Sequence, residues 1–375
     1  MSADRPTKIL IAREPGETRY ALLAEATTLE IALIRDGAVE PGAIYIGRVG
    51  AALPDGHACM VDLGRGEPGF LQSSRRLPSE GQMIQVEVVG APGRGKGPTL
   101  RRREAARLSD GSSPEGPPRK VAPAPTPASE WLVRYGESIQ EVMVANSETL
   151  RGLDLPPDRA ILRPRVACDL LEDEGVDDAI ESALLRSVPL PSGGSMIIEQ
   201  TAAAWMIDIN GGRGPVDAAN TEAMMAFARH LRLRNLSGHF LVDLIPARHR
   251  SACRNLLADL VAKDPVQTQI AGFTPLGMLE LTRRRRREAL PELLVDGDRS
   301  APLAIAYRAL RLVVRQIRAR PTTNLLISVN PRSAALLAGE LSQSRQEAEA
   351  VAGCKISISG RDDFAADRIE LSAPP

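Results

Sequence analysis

Two aspartates at the ends of strand-like runs offer the clearest chemistry in this sequence. Asp208 lies in Ala-Trp-Met-Ile-Asp-Ile-Asn, where side chains alternate between faces, so Asp208 and Asn210 project from the same side. Asp243 closes the apolar run Phe-Leu-Val-Asp one helix-length later. In open α/β sheets the functional crevice lies beyond the carboxyl ends of the strands, so neighbouring strands would present both carboxylates and the Asn210 amide together. Oxygen donors of this kind suit Mg²⁺, with Mn²⁺ able to substitute. Mg²⁺ is usually held by one or two carboxylates, with waters and substrate phosphate completing its shell. A bound divalent ion would stabilise charge on a phosphate and help ionise an attacking water. Strand-end aspartates also open turns and cap helices, and that alternative stands on pattern alone.

A second group of residues suggests a polymeric ligand. Phe70 in Gly-Glu-Pro-Gly-Phe-Leu, with Tyr45, Arg48 and Lys96, offers aromatic faces and cations of the sort an OB fold uses to stack bases and hold a phosphate backbone. The competing reading is a set of core aromatics and surface cations. Overall charge does not decide, because 47 Lys and Arg balance 47 Asp and Glu. Arginine is instead concentrated locally, at Arg101 to Arg103, at Arg283 to Arg287 and around Arg248, His249 and Arg250, where it could contact phosphates. A solvated helix face explains such runs equally well.

These residues must be positioned by several compact units, for which 375 residues suffice. Strand-like runs at Ile9 to Ile11, Tyr20 to Leu23 and Leu29 to Ile34 start a sheet, and short strands at Ile44 to Val49, Ala58 to Asp62 and Met83 to Val89 suggest a small closed barrel. Residues 109 to 130 are rich in proline and poor in large apolar side chains, which reads as a linker. Beyond it come a strand at Ile139 to Val144 and a helix around Asp177 to Leu185. A strand-helix-strand layer follows, whose helix carries Met224, Phe227, Ala228 and Leu231 on one stripe. A last unit has helices at Leu303 to Arg318 and Pro331 to Leu341, and strands at Asn324 to Val329, Lys355 to Ser359 and Arg368 to Leu371.

The four cysteines, Cys59, Cys168, Cys253 and Cys354, are widely separated and form no C-x-x-C pair, so buried reduced thiols are expected and no structural zinc. No apolar run is long enough for a membrane span and residues 1 to 8 have no apolar signal core, so a cytoplasmic location is expected.

The order and spacing of LPSGGSMIIEQTAAAWMIDINGGRG, NTEAMMAFARHLRLRNLSGHFLVDLIPARHR and LGMLELTRRR resemble the bacterial ribonuclease E/G family. The resemblance implies an α/β chain, in the broader sense an α+β multidomain protein. Its parts would be an RNase H-like domain in two pieces (1–42 and 131–184), an inserted S1-type OB barrel (43–108) and the proline-rich linker (109–130). A deoxyribonuclease I-like catalytic subdomain (185–291) and a small C-terminal α/β domain (301–375) complete it. It also implies Mg²⁺-dependent hydrolysis of single-stranded RNA that leaves a 5′-phosphate on the downstream product, in RNA processing or decay. The family's metal-binding aspartates fall on Asp208 and Asp243, and its supporting asparagine falls on Asn210. Its RNA-binding phenylalanine falls on Phe70, and a basic position of its G-N-K-G segment falls on Lys96.

The chain departs from the family in three places. No Cys occurs in Glu288 to Ser300, where the family's C-P-x-C zinc link belongs, so any homo-oligomer is expected to form without a zinc bridge. The proline-rich segment stands where the family has its 5′-monophosphate sensor, so a nuclease blind to the 5′ end is expected. Gly-Gly-Arg follows Asn210 in place of Ser-x-Arg, and Leu-Ile-Pro follows Asp243 in place of Phe-Ile-Asp. No C-terminal scaffold for recruiting other enzymes is expected. A family member that binds RNA or regulates, with little or no turnover, is the second reading of the same residues.

Overall fold

The computed structural model describes residues 5–54, 56–72, 76–93, 96–103, 116–146, 149, 170–248, 250–297 and 299–374. Cys168, His249 and residues 109–115 of the proline-rich segment lie outside the described residues.

The chain opens as an antiparallel meander of β1 (Lys8–Glu14), β2 (Glu17–Ala24) and β3 (Thr27–Arg35). Apolar side chains occupy both faces of β1 because both faces are covered. Ile9 and Ile11 meet Ala128 and Trp131, while Leu10 and Ala12 face Leu170, Leu171, Val176 and Ala183. The β1–β2 turn requires glycine: Gly16 has φ +74°, and a Cβ there would lie 2.1 Å from Ser344 Oγ of the C-terminal unit.

The chain then leaves this sheet to build a barrel from β4 (Ile44–Ala52), β5 (Ala58–Asp62), β6 (Gly69–Gln72), β7 (Met83–Gly90) and β8 (Thr99–Arg102). The pairings run β4–β5–β6–β8–β7 and return to β4, closing five strands around Val49, Val61, Leu71, Val86, Val88 and Leu100. A sixth strand, β9 (Arg119–Ala122), lines up beside the start of β4, with Tyr45 opposite Lys120.

The linker expected over 109–130 therefore does not hold for its second half. Residues 119–122 form β9, and α1 (Pro127–Tyr135) begins directly afterwards. Between Pro118 and Pro123 the backbone N–H groups are intact, so an edge strand can pair there. Pro127 sits in the first turn of α1, where its missing N–H costs nothing, and Thr126 caps the helix by accepting from Ser129 N at 3.1 Å. The proline count conveyed low hydrophobicity but not these positions. With β10 (Glu141–Val144) parallel to β1, the first sheet is completed in the order β10-β1-β2-β3, backed by α2 (Leu170–Asp173) and α3 (Val176–Leu184).

The central layer is a sheet of β11 (Ser187–Pro189), β12 (Ser195–Gln200), β13 (Trp205–Asn210), β14 (Gly238–Asp243), β15 (Thr268–Phe273) and β16 (Leu279–Arg283), in the order β11-β12-β13-β14-β16-β15. Crossover helix α4 (Val216–Leu233) joins the parallel strands β13 and β14, and α5 (Arg250–Val261) lies beside it. Trp205, Ile207 and Ile209 of β13 and Phe240 and Val242 of β14 share a core with Ala223, Met224, Phe227 and Leu231 of α4. Phe227 and Phe240 meet edge to face with centroids 5.7 Å apart. Each of the larger aliphatic and phenylalanine side chains buried here contributes roughly 1.5–3 kcal/mol of transfer free energy. Because the odd-numbered residues of β13 point into this core, Asp208 and Asn210 must point away from it.

After β16 come a short helix α6 (Leu290–Leu294) and a tight hairpin of β17 (Val295–Asp296) and β18 (Arg299–Ser300). The last unit carries α7 (Pro302–Ala319), β19 (Asn324–Val329), α8 (Pro331–Ala338), α9 (Ser342–Ala352), β20 (Lys355–Gly360) and β21 (Glu370–Ser372) around its own core. Helix α9 went unread in the sequence because it buries only Ser344 and Ala348 and so has almost no apolar stripe. Arg311 Nη1 reaches Glu17 at 3.0 Å, tying this unit to the first sheet. No helix among the described residues is long and apolar enough to cross a membrane.

Candidate active site

Asp208 and Asp243 are register partners across the parallel pair β13–β14, as are Met206 and Leu241. Neighbouring strands run about 4.8 Å apart, so the two carboxylates start from backbones at that spacing. Both side chains are exposed, and Asn210 Nδ2 donates to Asp208 Oδ2 at 3.1 Å. Like charges directly opposite on a sheet repel, so the arrangement gains from a cation between them. Among the described residues no group of three or more His, Cys, Asp or Glu is gathered to hold a metal ion. The donor set here, two carboxylates with an adjacent amide, fits an ion that takes its remaining ligands from water and substrate.

The loops around the pair are held close. Gly212 stacks on the 193–194 backbone, where a Cβ would come within 2.6 Å of Gly193 C and Gly194 N. Ser192 N donates to Glu222 Oε2 of α4 at 2.9 Å, fastening the turn before β12. Asn220 of α4 is wholly buried and bonds both the N–H and the C=O of Ile245, two residues beyond Asp243. Asn220 escaped the sequence reading because a polar residue on a helix gives no sign of a partner supplied by tertiary contact.

The barrel residues divide. Phe70 on β6 is half-buried on the outer surface, in register with Met60 and Thr99, and Arg48 is exposed on β4 opposite Asp62. Lys96 is exposed on a small bridge to Gly93. Tyr45 is different: it is 0% exposed inside the barrel, and its hydroxyl has no hydrogen-bond partner among the described residues. Its expected part in base stacking is corrected, since a ring that closes the core cannot meet a base.

The arginine run at 283–287 is largely occupied by the protein itself. Arg283 is buried, with Nη1 on Leu236 O and Nη2 on Asp264, each at 2.8 Å. Arg285 Nη2 donates to Pro92 O at 2.7 Å and to Glu292 at 2.6 Å, fastening the loop that precedes Lys96 to the segment after β16. Burial opposes ionisation of Glu292, but Arg285 wins and holds its carboxyl below the ordinary value. Arg286 and Arg287 both pair with Glu130 of α1. Arg284 is exposed. Elsewhere, Arg101 and Arg103 share Glu87, and Arg250 lies 4.7 Å over the Phe273 ring. Periodicity could not separate tethers from phosphate ligands, because both look like a basic run.

Residues 133–286 match the family model described as Ribonuclease E/G family. This central part of the chain is similar to the ribonuclease E/G family. The matching segment contains Asp208, Asn210, Asn220 and Asp243, whereas the barrel strands β4 to β9 precede it. Ribonuclease G of Salmonella typhimurium (strain SL1344) is 35% identical over 202 residues, covering 49% of this chain and 41% of that protein. Ribonuclease G of Escherichia coli (strain K12) is 34% identical over the same length. Ribonuclease E of Escherichia coli (strain K12) is 40% identical over 128 residues, 31% of this chain and 12% of that protein. The chain thus spans less than half the length of the curated relatives it is similar to.

Proposed function

We propose that this chain is a Mg²⁺-dependent endoribonuclease that hydrolyses single-stranded RNA, leaves a 5′-phosphate on the downstream product and acts in RNA processing or decay in the cytoplasm. The observation that carries this reading is the register pairing of Asp208 with Asp243, inside the segment that matches the ribonuclease E/G family. Asp208 and Asp243 hold the metal, and Asn210 orients the Asp208 carboxylate through its 3.1 Å bond. Mg²⁺ bound there would offset charge on the scissile phosphate and lower the pKa of the attacking water.

On the barrel, Phe70 stacks an unpaired base while Arg48 and Lys96 hold the backbone, the division of labour of single-strand binders. Closure of five strands supports an S1-type OB fold for this unit. The β10-β1-β2-β3 order, three antiparallel strands flanked by a parallel one, supports an RNase H-like first domain, and the two-carboxylate mixed sheet supports a deoxyribonuclease I-like layer. Selection is for unpaired RNA and not for a 5′-monophosphate, and any association between copies of the chain forms without a zinc bridge.

The test is cleavage of an end-labelled single-stranded RNA with Mg²⁺, comparing the wild type with Asp208→Asn and 5′-monophosphate with 5′-triphosphate substrates. The expected outcome is Mg²⁺-dependent cleavage, abolished by the substitution and indifferent to the 5′ group. RNA binding without cleavage would instead establish a non-catalytic RNA-binding protein.

A further inference from the structure

Asn220 sits in the second turn of α4 with 0% of its surface exposed, although its side chain is fully polar. Burying an amide is costly unless its bonds are made, and here both are made to one residue. Asn220 Oδ1 accepts from Ile245 N at 3.1 Å, and Asn220 Nδ2 donates to Ile245 O at 2.9 Å. Only one orientation of the amide satisfies both, so Ile245 is gripped as a strand neighbour would grip it. The clamp falls two residues beyond Asp243, at the point where β14 has ended and the backbone has no further ladder partner on β13. On its other side, Ile245 reaches back toward the partner strand. A Cβ at Gly211 would lie 3.3 Å from Ile245 Cδ1, and Gly211 directly follows Asn210. Asn220 therefore holds the end of β14 through the Ile245 backbone, while the Ile245 side chain lies beside the backbone that follows Asn210 at the end of β13.

We infer that Asn220 is a positioning residue: through Ile245 it fixes the end of β14 against the end of β13 and so sets the spacing of Asp208 and Asp243 for a shared divalent cation. The inference rests on the metal-site reading proposed above. Groups that orient metal ligands from behind typically govern affinity by about ten- to a hundredfold. Asn220→Asp keeps the acceptor for Ile245 N but sets a carboxylate oxygen against Ile245 O. Ile245→Ala, at a half-buried position, removes the side chain that lies beside Gly211 while leaving the backbone clamp intact.

The experiment is Mn²⁺ titration of the full chain by electron paramagnetic resonance, with melting temperature measured in parallel. The set is wild type, Asp243→Asn, Asn220→Asp, Ile245→Ala, and Leu231→Ala as a control that weakens the same core. The expected result is a site lost in Asp243→Asn and weakened about tenfold in Asn220→Asp and several-fold in Ile245→Ala. Leu231→Ala should bind as the wild type does despite a lower melting temperature, and for RNA cleavage Asn220→Asp should lower kcat more than it raises KM. Wild-type affinity in Asn220→Asp, or equal weakening in Leu231→Ala, overturns the positioning role alone. Unchanged Mn²⁺ binding in Asp243→Asn overturns the metal site, and the positioning role falls with it.

Discussion

Asp208 and Asp243 stand opposite each other on adjacent parallel strands, with Asn210 bonded to the first and a buried amide clamp behind the second. Two exposed carboxylates in that position repel. Exchanging one for a neutral amide should therefore leave the metal-free protein as stable or more stable, by about 0.2–1 kcal/mol. Thermal melts of Asp243→Asn without divalent ions check this. Excess Mg²⁺ should raise the wild-type melting temperature, by about 2.7 kcal/mol of stability at a hundred times Kd, and leave the variant unmoved. A variant that responds to Mg²⁺ as the wild type does would remove the metal from this pair.

Phe70 and Tyr45 lie in the same barrel and should behave in opposite ways. Phe70→Ala removes a half-exposed ring and should weaken binding of single-stranded RNA by about 1–3 kcal/mol, with little loss of stability. Tyr45→Phe removes a buried hydroxyl with no partner among the described residues, so it should leave binding unchanged and be neutral or stabilising by about 1 kcal/mol. Fluorescence anisotropy with a labelled oligoribonucleotide and urea unfolding separate the two effects.

Arg283 and Arg284 are adjacent in sequence but differ in role. Arg283→Ala strands Asp264 as a buried carboxylate and should cost about 3–5 kcal/mol of stability. Arg284→Ala, on the surface, should change stability by under about 0.5 kcal/mol. If Arg284 contacts a phosphate, its removal lowers the slope of log K against log salt by about one. Denaturant unfolding and salt-dependent binding of both variants report each role directly.

His230 governs an acid limb of stability. Burial first, then the positive charges of Arg234 and Arg229, push its pKa from the ordinary 6.5 down to about 3, while its Nδ1 accepts from Arg234 Nε at 2.9 Å. Between those two values the unfolded chain binds the extra proton. The stabilisation is therefore complete above about 6.5 and is lost as pH falls toward about 3, at up to about 1.4 kcal/mol per unit. Glu40 acts in the opposite sense: burial raises it to about 7, against a smaller opposing pull from Arg287, so its contribution grows as pH falls through that value. The difference between the wild type and His230→Gln in urea midpoint, from pH 7 to pH 4, isolates the histidine and should shrink steadily as the pH falls.

The sequence by itself determined the local elements and the identity of the chemical groups. Strands β1 to β5, the span of β19 and the apolar stripe of α4 follow from periodicities of two and 3.6, because those repeats are imposed by which face is buried. Alternation along β13 placed Asp208 and Asn210 on one face, and block order and spacing carried the family resemblance. What only the tertiary structure decided are relations between distant segments. The register that sets Asp208 against Asp243, the pairing of β9 with β4, the burial of Tyr45 and the use of Arg283 and Arg285 as tethers all depend on which surfaces meet. A side chain's composition states what bonds it can form. Whether Asn220 makes them to water or to Ile245 is settled only when α4 is laid across the ends of the two strands it connects.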